Sequence, residues 1–122
     1  ARLRNITAMV ETMKKAIRDG DVATIGRLAE EDSLNLHAIT MTGRSRIVLW
    51  EPETVRVIKE VERMQSEGIP AWYSMDTGPS VFINTFKDYA EKIAHRLQRL
   101  KLPKMIVSGV GGKPSLSQNH LF

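Results

Sequence analysis

The sequence contains no cysteine among its 122 residues. Without cysteine the chain has no disulfide framework and no thiolate for nucleophilic chemistry. This absence is typical of an intracellular protein, and we expect a cytoplasmic one. No apolar run approaches the roughly 20 residues that a membrane-spanning helix needs, and no signal peptide is visible. We therefore expect no membrane partner.

Histidine is also scarce, and several catalytic motifs are missing. His37, His95 and His120 include no pair at metal-ligand spacing, which argues against a structural zinc site. The sequence has neither the Gly-x-Ser-x-Gly elbow of α/β-hydrolases nor the Gly-x-Gly-x-x-Gly fingerprint of dinucleotide-binding proteins. Residues 108–115 are rich in glycine, but Pro114 follows the lysine and the spacing is not that of a phosphate-binding loop. We interpret them as a flexible exit from a last strand.

The positive charge of the chain is spread out. The net charge is +4, but most basic residues are mixed with Glu and Asp on predicted helices, which is typical of a solvated face. No combined aromatic and basic motif is present, so we expect no nucleic-acid partner.

With 42% hydrophobic residues, a chain of this length is sufficient for one core, and we predict a single domain over residues 1–122.

Hydrophobic periodicity predicts more helix than strand. The predicted helices span about residues 3–19, 22–39, 52–67 and 87–100. Gly20 suits the C-terminal cap of the first helix and Asp21 the N-cap of the second. The predicted strands lie within residues 71–85 and at 105–107, whereas residues 47–50 are either a strand or a buried connector. This order predicts an α+β fold in which a small antiparallel sheet packs against about four helices.

The most informative stretch is residues 72–83, in which an aromatic and apolar run ends at an acidic residue and a tight turn. Its β-rich composition predicts a strand, a sharp loop and a second strand. Gly78 supplies backbone freedom to the loop, and Pro79 removes one N–H group. Asp76 is then either a carboxylate at a strand end that binds or reacts with a small anionic substrate, or an ordinary turn residue that accepts local N–H bonds.

A second polar patch lies on the helix predicted over residues 22–39. Ser33 and His37 are one helical turn apart and share a face, and Asp32 and Asn35 lie on a neighbouring face. Either the patch belongs to a site, or His37 caps the helix near its C-terminal end, where a partial positive charge is favourable.

Two segments carry a resemblance to a known family. The first resembles the Asp-Ala-Gly-Pro-Asn segment of the mevalonate diphosphate decarboxylases, which belong to the GHMP kinase superfamily. It reads Tyr73-Ser74-Met75-Asp76-Thr77-Gly78-Pro79-Ser80. The second is similar to a helical segment of that family that ends in His-Ala, and it reads Asp32-Ser33-Leu34-Asn35-Leu36-His37-Ala38. The sequence departs from the family at Thr77, where Ala is usual, and at Ser80, where Asn is usual.

The resemblance extends from Arg4 to about Val107 and covers only the C-terminal half of the family. It implies a fold like that of a GHMP kinase C-terminal domain and an ATP-dependent decarboxylase of the mevalonate pathway, which supplies isoprenoid precursors. In that family ATP phosphorylates a tertiary hydroxyl, after which phosphate and carbon dioxide leave. The resemblance implies a catalytic role for Asp76 and substrate binding by Ser33, His37, Thr77, Gly78 and Ser80.

The same resemblance implies partners that this chain lacks. ATP and Mg²⁺ would be bound mainly by an N-terminal domain, so that this chain alone would be inactive. Phosphorylated mevalonate and that domain are the expected partners, together with a possible homodimer. The alternatives are a decarboxylase of mevalonate monophosphate or bisphosphate, a related small-molecule kinase, and a non-catalytic domain that binds a phosphorylated ligand or a partner. Since a helical pattern begins almost at Ala1, we also expect a cut or processed chain.

Overall fold

The computed structural model describes the backbone of residues 2–116 and the side chains of residues 6–116. His120 and the side chain of Arg4, both named above, lie outside these residues. The regular elements are α1 (Arg2–Asp19), α2 (Val22–Thr42), α3 (Pro52–Ser66), β1 (Ala71–Ser74), β2 (Phe82–Thr85) and α4 (Lys87–Gln98). None of the described helices is long and apolar enough to cross a membrane.

The α+β prediction is confirmed. Strands β1 and β2 pair in antiparallel fashion, with Ala71 opposite Thr85 and Ser74 opposite Phe82. Within the described part of the chain, four helices accompany this two-stranded sheet. Helix α1 packs on α2, and both α2 and α3 pack on β1.

The turn between α1 and α2 has the predicted caps. Gly20 has a φ of 67°, a left-handed conformation that glycine adopts without strain. The Asp21 side chain accepts a hydrogen bond of 3.0 Å from the backbone N–H of Thr24, as an N-cap residue should. Helix α2 then runs to Thr42, three residues beyond its predicted end, and Gly43 caps it by donating its N–H to Ile39.

The core lies between α3, β1 and α4. Val61 and Met64 of α3 are fully buried in it. Ala71 and Tyr73 of β1 face the core, because alternate strand residues point to the same side of a sheet, and Met75 directly after the strand is buried with them. Helix α4 contributes the buried Ile93 and Leu97, in agreement with the periodicity of its sequence. Of the two described strands, β1, which ends two residues before Asp76, is therefore the more buried.

The structure corrects one predicted strand and settles an open alternative. Residues 105–107 form no strand, and Ile106 and Val107 are 72% and 64% exposed. Residues 47–50 are a connector, of which Ile47 and Val48 are exposed. A strand requires a neighbour for its N–H and C=O groups, and within residues 2–116 neither segment lies beside one.

A charged cluster joins α3 to α4. The Arg96 guanidinium lies 2.6 Å from the Glu60 carboxylate and also pairs with Glu67, and Arg63 lies 2.7 Å from the second oxygen of Glu60. Burial would by itself raise the pKa of Glu60, but the hydrogen bonds from Arg96 and Arg63 hold that pKa below its usual range. The cluster therefore stabilises the folded protein in the form in which Glu60 is ionised.

We expect Arg96→Leu to lower the free energy of unfolding by about 1–3 kcal/mol at pH 7, because it leaves a largely buried carboxylate with one partner fewer. Since folding lowers the pKa of Glu60, this contribution is present at neutral pH and is lost as the pH falls below about 4. Urea unfolding of both proteins at pH 7 and pH 3 measures it. The exposed Lys92, changed to Leu, controls for the lost charge. A difference between wild type and Arg96→Leu that is equally large at pH 3 would contradict the expectation.

Candidate functional site

Side chains from α2 and α3 hold the outer edge of β1. Glu30 accepts a hydrogen bond of 3.0 Å from the Tyr73 N–H, and Ser33 accepts one of 2.8 Å from the Met75 N–H. Gln65 donates to the Ala71 carbonyl at 2.8 Å. Alternate N–H groups of an edge strand point away from its partner strand and need acceptors. Glu30 and Ser33, which are three positions apart on α2, accept these hydrogen bonds and hold the chain as far as Met75, the residue before Asp76.

Asp76 lies at the end of this strand, on the rim of a cleft. Met75 is buried in the core, but Asp76 is exposed. The cleft has a volume of about 330 Å³ and opens between α1, α2 and the end of β1. Its lining residues are Ile6, Met9, Val10, Met13, Leu28, Ala29, Asp32, Ser33, Ser74, Met75 and Asp76. Asp76 therefore lines a mostly apolar cleft, together with the polar residues Asp32, Ser33 and Ser74.

The carboxylate of Asp76 is available for a ligand. Among the described residues it accepts no hydrogen bond and forms no ion pair. An ordinary turn aspartate would accept a bond from a backbone N–H one or two residues further on. The structure therefore does not support the ordinary turn alternative for Asp76.

The turn after Asp76 is exposed and is tied to α3 at one point. Thr77 and Ser80 are exposed, and Gly78 is half-buried. Gly78 does not have a positive φ, so the expectation that it supplies special backbone freedom is wrong. The contact to α3 is a hydrogen bond of 2.8 Å from the Thr54 hydroxyl to the Pro79 carbonyl.

Ser33 and His37 separate in the structure. The buried Ser33 lines the cleft with Asp76, and its hydroxyl bridges the Met75 N–H and the Ala29 carbonyl. His37 is 0% exposed and does not line the cleft. Its ring packs against Trp50 with centroids 5.6 Å apart, and its two nitrogens have no hydrogen-bond partner among the described residues. His37 is therefore not a satisfied helix-capping histidine.

Sequence reasoning did not assign a role to three residues of this region. Asp32 lines the cleft, Glu30 holds β1, and Thr54 holds the turn. Glu30 and Thr54 could have been found from the sequence. Glu30 lies three positions before Ser33, which is the spacing of neighbours on one helix face. Thr54 lies three positions after Glu51, which is the spacing of a capping box.

Two of the residues that line the cleft, Asp32 and Asp76, are acidic, and none of the described residues that line it is Lys or Arg. Behind it, partial burial raises the pKa of Glu30, although hydrogen bonds from Tyr73 and Gln65 oppose the shift. No group of three or more acidic or histidine side chains suited to a metal ion occurs in the described part of the chain. A phosphorylated ligand in this cleft would therefore need cationic groups from outside these residues.

Comparisons with known proteins point to one family. The family described as the mevalonate 5-diphosphate decarboxylase C-terminal domain matches residues 1–117. A phosphomevalonate decarboxylase of Haloferax volcanii is 38% identical over 113 residues, which are 92% of this chain and 35% of that protein. The chain thus spans about a third of the length of this relative.

Solved structures agree in fold. The mevalonate diphosphate decarboxylase from Enterococcus faecalis, in a study of mevalonate diphosphate mediated ATP binding, has a TM-score of 0.75 and 25% identity. The comparison covers 80% of this chain and 30% of that one. A structure named "MDDEF in complex with MVAPP, AMPPCP and Magnesium" gives the same TM-score, identity and coverage.

Proposed function

The chain belongs to the family of mevalonate 5-diphosphate decarboxylase C-terminal domains, and we propose that it is the substrate-side domain of an ATP-dependent decarboxylase of mevalonate diphosphate. Such an enzyme is a carboxy-lyase that supplies isoprenoid precursors. The observation that carries the proposal is the Asp76 carboxylate, which lies without a protein partner among the described residues at the rim of the cleft.

Asp76 is the catalytic residue in this proposal. Its carboxylate accepts the hydrogen bond of the substrate's tertiary hydroxyl and takes up its proton as the hydroxyl oxygen bonds to the terminal phosphorus of ATP and ADP leaves. Asp76 then passes this proton to the new phosphate group and is ionised again. When that phosphate departs with the C–O bond electrons, the negative charge of the Asp76 carboxylate favours the positive charge that develops at carbon. The C–C bond to the substrate carboxylate then breaks, carbon dioxide leaves, and the electron pair forms the double bond.

The remaining predicted residues surround this reaction. We assign Ser33 to the cleft wall, where its hydroxyl holds the strand end beside the substrate. The exposed turn presents the N–H groups of Thr77, Gly78 and Ser80 and two hydroxyls, which are suitable donors to carboxylate or phosphate oxygens. Because His37 is completely buried and packs against Trp50, we assign it to the support of the fold rather than to contact with the substrate.

ATP and Mg²⁺ belong to the rest of the protein in this proposal. The described residues offer no metal-binding cluster, and those that line the cleft include no Lys or Arg for phosphates, so this cleft does not fit Mg²⁺–ATP by itself. The chain spans about a third of the length of the Haloferax volcanii relative, and we propose that an N-terminal domain binds both ATP and Mg²⁺. Residues 1–122 then act as one domain of a larger enzyme, and isolated they should be inactive.

A second candidate is decarboxylation of mevalonate 5-phosphate. The 38% identity to a phosphomevalonate decarboxylase over 92% of this chain favours it. Both candidates use the same chemistry at Asp76 and differ in the length of the phosphate group that is bound.

The test is an assay of the full-length protein with ATP and each mevalonate phosphate in turn. Equimolar ADP and carbon dioxide from the 5-diphosphate support the main proposal, and the same products from the 5-phosphate alone support the second candidate. Carbon dioxide released from the 3,5-bisphosphate without ADP would identify a bisphosphate decarboxylase, because its tertiary oxygen is already phosphorylated. ADP without carbon dioxide would indicate a kinase, and no turnover at all would leave a binding domain.

A further inference from the structure

Thr54 occupies a rigid position next to the turn that follows Asp76. It is 2% exposed and lies in the first turn of α3, whose next residues Val57, Ile58 and Val61 are buried in the core. Its hydroxyl accepts a hydrogen bond of 3.2 Å from the Glu51 N–H as part of a capping box. Both the helix start and the core packing thus restrain this side chain.

The same hydroxyl is the point at which the core holds the turn. It donates to the Pro79 carbonyl at 2.8 Å, across 25 positions of sequence. This is the side-chain bond that the structure shows to the backbone of residues 76–80 from a described residue of α3. Without this bond, residues 76–80, which are mostly exposed, would have no fixed attachment to α3.

Ser33 provides the corresponding bond on the other side of Asp76. Its hydroxyl accepts the Met75 N–H at 2.8 Å and donates to the Ala29 carbonyl at 2.7 Å. Buried hydroxyls from α2 and α3 therefore fix the residue before Asp76 and the residue three positions after it. Asp76 itself has no hydrogen bond among the described residues, so its position depends on the backbone that these two attachments hold on either side of it.

We propose that Thr54 is a positioning residue, which acts on catalysis by holding the 75–79 segment so that the Asp76 carboxylate meets the tertiary hydroxyl of the substrate. This inference rests on the proposed function. Displacement of a reacting group by about 1 Å can reduce the rate by about 100-fold, whereas ground-state binding by other groups is little affected. Loss of the Thr54 hydroxyl should therefore reduce kcat more than it weakens substrate binding.

The test compares three variants of the full-length protein with its best mevalonate phosphate. Thr54→Val keeps the shape and removes the hydrogen bond, and we expect kcat to fall about 10- to 100-fold with KM and substrate Kd within about threefold. Thr54→Ser keeps the hydroxyl and should retain at least half of the wild-type kcat. Thr85→Val is the matched control, because it removes the same kind of bond, from a threonine hydroxyl to the Pro70 carbonyl, at the end of β1 away from the cleft, and it should leave kcat unchanged. Assays at 25 °C on protein shown to be folded by circular dichroism separate a loss of rate from a loss of folded enzyme.

A Thr54→Val enzyme with wild-type kcat would overturn the proposal, and so would an equal loss in Thr54→Ser or a loss expressed only in KM. If Thr54→Val does not fold, Thr54→Ala replaces it, since Ala removes the hydroxyl without placing a methyl branch against the Pro79 carbonyl. A wild-type protein that turns over no mevalonate phosphate would refute the proposed function. An active wild type with unchanged variants would refute only the role of Thr54.

Discussion

Asp76→Asn should reduce the kcat of the full-length protein about 1,000-fold, within the range that general acid–base groups contribute. The amide has nearly the shape of the carboxylate but neither takes up a proton nor carries the charge that favours a developing cation. Because Asp76 is exposed and forms no hydrogen bond or ion pair among the described residues, its replacement should leave the folded structure unchanged. Steady-state assays of ADP and carbon dioxide, together with substrate titrations, measure the effect.

The control for this variant is Asp88→Asn, which removes an exposed carboxylate from the first turn of α4. It should leave kcat within about twofold of wild type, since surface substitutions away from a site have small effects. Substrate Kd should be similar for wild type, Asp76→Asn and Asp88→Asn. Unchanged turnover in Asp76→Asn would refute the catalytic assignment, and a loss confined to Kd would make Asp76 a binding residue.

Gly26→Ala should cause the largest loss of stability, about 3 kcal/mol, which is at the upper end of typical overpacking penalties. Gly26 is buried where α2 crosses β1. A Cβ atom there would lie 2.7 Å from the Cβ of Trp72 and would overlap its Cγ and Cδ2 atoms even more closely. Side-chain rotation does not move the Trp72 Cβ, so helix and strand would have to separate. Separation would also lengthen the Glu30 and Ser33 bonds to β1.

Urea unfolding measures this loss, and two other glycines provide controls. A Cβ atom added at Gly20 or Gly78 would meet no other group within 4 Å. Gly20→Ala should cost about 1 kcal/mol because of its positive φ, and Gly78→Ala should be nearly neutral. In a Trp72→Ala background the Gly26→Ala penalty should shrink but persist, because the Trp72 Cβ position is still occupied. A Gly26→Ala protein as stable as wild type would contradict the close approach of α2 to β1.

Much of the fold could be predicted because its signals are local. The periods of three and four residues in α1, α3 and α4 express which side chains share a helix face. Gly20 and Asp21 act within one turn of where they stand, so their capping roles were also predictable. The strand before Asp76 was predictable for the same reason, since its alternation of buried and half-buried residues repeats every two positions.

Elements whose formation depends on a segment far away in the sequence could not be predicted in the same way. The apolar run at residues 105–107 has the composition of a strand, but strand formation needs a second chain segment at its side. Residues 47–50 were ambiguous for the same reason. Gly78 stands in a turn, yet its φ is not positive, so the conformation of this turn does not require glycine.

The sequence by itself determined the composition of the candidate site: one acidic residue at a strand end, followed by a Thr-Gly-Pro turn, with Ser33 on a helix that precedes it. Only the tertiary structure decided which of these residues meet. It placed Ser33 beside Asp76 and His37 in the interior, and it brought Thr54 to Pro79 from 25 positions away. Local propensities act over a few residues, whereas these contacts arise from the packing of α2 and α3 on one buried strand, which sequence periodicity does not encode.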